Sequence, residues 1–236
     1  MLNQLSEPPL KEFDLARTTV REINQFLHHE LAGSGVEQVE ILNPNGLHSI
    51  AVGLDAPIDV QIRGHAGYFI GGMNKQARIT VHGNVGWSVA ENMMSGRVHV
   101  HGQASESAGA SARGGLLIID GDASSRCAIS LKGGDVVVGG SVGHFSAFMA
   151  QAGNLVICGD AGPNLGDSLY EARIYVRGKI HSLGSDAKIE PMTDRDCETV
   201  QRLLDAAGFS QNPREFQCVA SARTLYHWNA DAHQEY

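Results

Sequence analysis

The sequence is first narrowed by what it lacks. Lysine and arginine number 18 against 26 acidic residues, the formal charge is −8, and no block of basic residues occurs. Without such a block there is no electrostatic footprint for nucleic acid. No apolar run is long enough for a signal peptide or a bilayer-spanning helix, so the expectation is a soluble, cytoplasmic protein. Cysteine is sparse: Cys127, Cys158, Cys197 and Cys218 stand without any CxxC spacing. They read as buried, inert thiols rather than a zinc or iron–sulfur site. No Ser/His/Asp or Cys/His constellation emerges, and no glycine-rich loop opens a helix to hold a phosphate.

Glycine, by contrast, is abundant and periodic. The stretches IDVQIRG, ARITVHG, GRVHVHG, GLLIIDG, GDVVVGG, GNLVICG and ARIYVRG end in Gly64, Gly83, Gly102, Gly121, Gly140, Gly159 and Gly178, always nineteen residues apart. With 28 glycines in 236 residues, six further hits at a preset offset arise by chance on the order of a few times in a million. Each copy carries apolar residues four and two places before its glycine, such as Val98/Val100 and Val136/Val138, while the residue between them points the other way. Short strands that cannot each bury a core bury one by stacking. The expected fold is an all-β solenoid, a right-handed parallel β-helix of about seven coils spaced about 4.8 Å apart. The position after each glycine is polar and the next is small or branched apolar, so the seven glycines read as architectural corners needing an unusual φ or a closeness that Cβ forbids. Gly96, Gly115, Gly134 and Gly153 mark a second corner. Hexapeptide-repeat helices advance eighteen residues per coil in equal sides, and calcium-binding nonapeptide repeats need GGxGxD; neither pattern fits.

Both ends depart from the repeat. Thr19 with Glu22 forms a capping box for a helix that Gly33 and Gly35 stop, and TDRDCETVQRLLDAAGF predicts a second capped helix ending at Gly208. VEQVEIL and LHSIAVGL read as strands that begin the solenoid out of register. The expected organisation is an arm and helix over 1–35, the β-helix over 36–190, and a C-terminal helix and docking tail over 191–236. The outward wall position runs Gln61, Thr80, His99, Ile118, Val137, Val156, Tyr175. Ile118, Val137 and Val156 form an apolar stripe that water should not see; one of the chain's own helices or a partner subunit must cover it.

Few residues invite a chemical role. His82, His101 and Asp120 share one column just before the corner glycine, where a stacked ladder could ligate a metal but reads as a solvated polar face, so no metal site is expected. Met93 and Met94 are expected to fill core gaps. Asp160, Asp167 and Glu171 lie in a turn-rich stretch without a paired base or nucleophile, which reads as a loop.

The stretch GHAGYFIGGMNKQARITVHGNVGWSVAENMMSGRVHVHG resembles the glycine-rich GXGXG β-helix domain that ends the large subunit of glutamate synthase. Gly64, Gly67 and Gly71, and in part Gly83 and Gly86, match its rhythm, whereas Ser105 and Ser124 replace the third-place glycine in two coils. The flanks EFDLARTTVREIN, GDSLYEARIYVRG and ASARTLYHW are similar to the stand-alone form of that domain, most of all the β-helix subunit of N-methylglutamate synthase. The resemblance implies a noncatalytic chain with no cofactor of its own. Its implied partners are a class II glutaminase-like subunit and a glutamate synthase-like subunit carrying FMN and iron–sulfur clusters. The alternatives are the β-helix subunit of another complex, such as split glutamate synthase or formylmethanofuran dehydrogenase, and an independent β-helix enzyme.

Overall fold

In the computed structural model, which describes residues 9–223, one sheet runs through the chain. Its strands are β1 (Leu10–Asp14), β2 (Gln38–Leu42), β3 (Asp59–Arg63), β4 (Arg78–Val81), β5 (Arg97–Val100), β6 (Leu116–Ile119), β7 (Lys132–Val138), β8 (Ala152–Ile157), β9 (Arg173–Val176), β10 (Ala187–Glu190) and β11 (Gln217–Ser221). Strands β1 to β9 pair in parallel, each with the next in sequence, which makes the molecule the parallel β-solenoid that the repeat specifies. From β3 to β9 the partners are nineteen residues apart, Val98 opposite Leu117 and Leu117 opposite Val136, apart from a bulge at the start of β7 that sets Lys132 opposite Ala152. The apolar pairs before each corner are fully buried from Val60/Ile62 to Ile174/Val176.

Two further walls complete each coil. A short one is built of single bridges linking Ala66, Val85, Ala104, Ala123, Val142, Ala161 and Ile180. The other has alternate residues in the left-handed conformation: Phe69, Gly71 and Met73 in one coil, Ser88, Ala90 and Asn92 in the next, then Ser107, Gly109 and Ser111. Such residues are individually unfavourable without glycine, by about 1–2 kcal/mol. Stacking offsets this, because the alternation points successive N–H groups at the coil ahead and the coil behind. Phe69 N–H donates forward to Trp87 O at 2.8 Å, Gly71 backward to Ile50 O at 3.1 Å, and Met73 forward to Glu91 O at 2.8 Å. The middle residue of the three is always alanine or glycine and buried, since only a small side chain fits inside the wall.

The corner glycines owe their place mainly to closeness. A Cβ at Gly83 would stand 2.6 Å from Gly64 C, and one at Gly159 2.7 Å from Gly140 C. Of the seven, Gly64 alone has a φ, +134°, that disfavours a side chain. The polar column after them closes the corner: Asn84 Oδ1 accepts from Gln103 N–H at 2.9 Å, Asp122 Oδ1 from Ser141 N–H at 2.7 Å, and Asp160 Oδ1 from Lys179 N–H at 2.7 Å. Asp160 is therefore a rung of this ladder, while Asp167 sits on the turn wall and Glu171 is an exposed residue just before β9.

Both ends differ from what the sequence pattern predicts. The segment 47–54 is not a strand but the first copy of the left-handed wall, with Ser49, Ala51 and Gly53 at positive φ. Strand β2 pairs residue for residue with β3, so it is in register despite a spacing of 21. The N-terminal helix is α1 (Val20–Gln25), with the capping box between Thr19 and Glu22, and it continues as a π-helical turn over Phe26–Glu30. It caps the open first coil by imitating a rung that has no preceding coil. Asn24 Oδ1 accepts from Ala51 N–H at 3.0 Å, its Nδ2 donates to Ser49 O at 2.8 Å, and His28 Nε2 donates to Val52 O at 2.8 Å. At the other end β11 pairs antiparallel with β9 and β10, ending the parallel ladder. The sheet thus crosses both expected boundaries, with β1 lying in 1–35 and β11 in 191–236. The docking tail beyond residue 223 lies outside the described residues.

The apolar stripe is covered by the chain itself. Helix α2 (Asp194–Ala207), capped by Thr193 and Asp196 and ended by Gly208 at φ +78°, lays Val200, Leu203 and Leu204 over Ile118, Val137, Val156 and Tyr175. Ile118, Val137 and Val156 are fully buried there, so they are not an open partner contact. The cover is the C-terminal helix because the N-terminal one is occupied with the first coil. A polar latch holds α2 in place: Asp196 accepts from Tyr175 Oη at 2.8 Å and from Thr193 N–H at 2.9 Å, and Arg173 Nε forms a 3.0 Å ion pair with it. Hydrogen bonds from Thr193 and Tyr175 and the Arg173 charge outweigh burial and keep the Asp196 carboxyl below its usual pKa. Met93 is buried as expected, but Met94, the next residue along, is exposed.

Two measurements check this architecture. Gly153, at φ +96° with Gly134 O 2.2 Å from a would-be Cβ, should lose about 2–3 kcal/mol or more on change to alanine. Gly208→Ala, left-handed but with open space, should lose about 1 kcal/mol; equal thermal shifts would contradict the coil geometry. Val137→Asp buries an unpaired carboxylate beneath α2 and should destabilise the isolated chain by several kcal/mol in thermal or urea unfolding.

Candidate functional site

The polar cluster on the strand wall forms because side chains two apart on a strand share a face. His99 projects outward from β5, and His101 follows it on the same side at the corner. Coil stacking sets Ile119 opposite Val100, bringing Asp120 beside both rings. His99 Nε2 lies 2.7 Å from Asp120 Oδ1, and His101 Nδ1 lies 2.7 Å from Asp120 Oδ2. The two rings have centroids 4.2 Å apart, and His82 on the preceding coil stands 5.2 Å from His101.

The column reading thus found His82, His101 and Asp120 but missed His99. Its signal was present: the outward wall changes from Thr80 to Ile118 through a single histidine two residues from His101. His82 stands apart chemically, since its Nε2 faces Gln61 Oε1 at 2.7 Å and Arg63 Nη1 at 2.9 Å.

Electrostatics divide the cluster. Burial holds the His99 imidazole below its ordinary pKa, although its hydrogen bond and charge attraction to Asp120 pull the other way. His82 is also lowered, first by burial and then by the Arg63 charge. For Asp120, burial would raise the carboxyl, but the two histidine hydrogen bonds prevail and keep it below the usual carboxylate value. Around neutral pH the group is therefore an anionic carboxylate facing two ring nitrogens. His99, His101 and Asp120 are the one set among the described residues whose donor atoms, all within 4.8 Å of one another, could hold a metal.

The cysteines take no part. Burial pushes the Cys127 thiol up to about 12 and the Cys158 thiol to about 11, and none of the four forms a disulfide. A cleft of about 510 Å³ beside α2 is lined by Arg173, Tyr175, Asp196 and Arg202, but these side chains serve the latch and the ion pairs that seat the helix. No helix among the described residues is long and apolar enough to cross a membrane.

A solenoid of stacked nineteen-residue coils, with its outer stripe sealed by its own helix, defines a glycine-repeat β-helix protein. Residues 48–229 match the family described as GXGXG motif, and the chain belongs to that family. It is 50% identical over 219 residues to Protein GlxC of Rhizobium meliloti (strain 1021), covering 92% of this chain and 96% of that one. No solved structure matches.

The contact between His99 and Asp120 predicts a titration. Because His99 has a lower pKa folded than unfolded, its contribution to stability is complete above the ordinary histidine value of 6.5 and is lost as pH falls below it. Asp120→Asn removes the raising influence and leaves burial, so nuclear magnetic resonance should find the His99 pKa lower still in that variant. An upward shift would contradict the assigned contact.

Proposed function

We propose that this chain is the noncatalytic β-helix subunit of a glutamate synthase-type flavoenzyme. The particular enzyme we propose is N-methylglutamate synthase, in which glutamate and methylamine give N-methylglutamate and ammonia. The observation that carries the reading is the GXGXG match over 48–229, which takes in nearly the whole solenoid and the helix that seals it. The 50% identity to Protein GlxC over 219 residues supports the same glutamate synthase-related reading.

The physical character of the fold suits that task. Stacked coils tied by backbone hydrogen bonds make a stiff rod, and a rod fixes the distance between two modules docked on it. The proposed partners are a cytoplasmic class II glutaminase-like subunit and a subunit bearing FMN and iron–sulfur clusters. In this assembly the β-helix holds them in a constant relation beside the route of the transferred amine or ammonia. The chemistry belongs to the partners; this chain supplies geometry.

Affinity purification from cells coexpressing the three chains tests the proposal. The expected result is a stable complex with flavin and iron–sulfur absorbance and methylamine-dependent turnover, while the lone chain is colourless and inactive. A lone chain with stoichiometric flavin or glutaminase activity, or a failure of the three to copurify, would overturn it.

A further inference from the structure

We infer that His99, His101 and Asp120 form a binding site for one divalent transition-metal ion, best matched by Zn²⁺. The inference rests on the geometry of this chain alone and is independent of the proposed assembly. Two imidazole nitrogens and a carboxylate converge within 4.8 Å, the span that three ligands around a single ion require. The donors are built on fixed backbone: His101 N–H donates to Val81 O and Asp120 N–H to Val100 O, each at 2.9 Å, within the inter-coil ladder. Ligands held by a scaffold in this way need little reorganisation to bind.

The donor set selects the ion class. Two imidazoles and one carboxylate suit Zn²⁺ and its first-row neighbours, whereas Mg²⁺ and Ca²⁺ prefer oxygen ligands throughout. Two neutral imidazoles and a carboxylate carry one negative charge, which a dication reverses to one positive. Without an ion, the same atoms are joined by the two 2.7 Å hydrogen bonds to Asp120. On binding, a ring proton that faces Asp120 leaves to the other ring nitrogen or to solvent and the freed lone pair turns to the metal, so no redox partner is needed. The side chain of His101 is 41% exposed, which opens the remaining coordination position to solvent or to a ligand brought by another molecule.

The test is isothermal titration of the chelator-stripped full chain with ZnCl₂, and with MgCl₂ and CaCl₂ as comparators. The expected result is one saturable Zn²⁺ per chain, no comparable Mg²⁺ or Ca²⁺ binding, and a rise in melting temperature with Zn²⁺. His99→Gln and Asp120→Asn should each weaken Zn²⁺ binding at least tenfold, while the exposed His144→Gln leaves it unchanged. The more exposed His101→Gln serves where the half-buried His99 variant folds poorly. Absence of saturable Zn²⁺ binding, equal binding of Mg²⁺, or binding indifferent to the ligand substitutions in folded protein would overturn the site.

Discussion

The structure depends on the backbone hydrogen bond between one coil and the next. Every wall is closed by N–H and C=O groups reaching across a coil spacing, and the bonds can form only if each coil has the same length as its neighbour. An insertion of one residue would turn inward side chains outward along the wall that follows. The nineteen-residue period is therefore a physical requirement, relaxed at the first coil, where the β2-to-β3 spacing is 21, at the bulge that pairs Lys132 with Ala152, and at the last turn, where Leu165 bridges to Leu183. The corner glycines serve the same requirement, since the bond distances bring successive corners too close for Cβ atoms.

A solenoid must also end, and an open end leaves both core and ladder exposed. The two ends solve this differently. At the start, Asn24 and His28 supply side-chain groups where a previous coil would have supplied backbone. At the finish, β11 reverses direction against β9, and its connection to the solenoid runs through α2, which seals the apolar stripe. The stripe and the latch are one device: Tyr175 continues the buried column and its hydroxyl holds the Asp196 that caps the helix.

The same stacking that builds the core also assembles chemistry on the outside. Asp120 meets His99 and His101 because residues nineteen and twenty-one apart become neighbours when coils stack. In a repeat fold a side-chain cluster can thus arise without any local motif. His99 and the stripe occupy successive positions of one outward column, with His101 and Asp120 in the corner column beside it, and the change from His99 to Ile118 marks where the cover of α2 begins.

The period, the inward pairs Val60/Ile62 to Ile174/Val176, the two capping boxes and the solenoid class were all legible in the sequence, because each follows from local chemistry repeated at a fixed interval. The left-handed wall was not legible. Its residues Phe69, Ser88, Arg126 and Phe145 share no side-chain property, and their conformation is imposed by the hydrogen bonds of neighbouring coils. Two of the three residues of the candidate site, His101 and Asp120, were visible as a column, while His99 entered only when the outward and corner columns were seen to share a face. Sequence alone determined that Ile118, Val137 and Val156 had to be covered, since apolar residues in one column cannot remain open to water. Tertiary structure alone decided that α2 covers them, because α1 and α2 are both amphipathic and only the position of the chain ends in space distinguishes them.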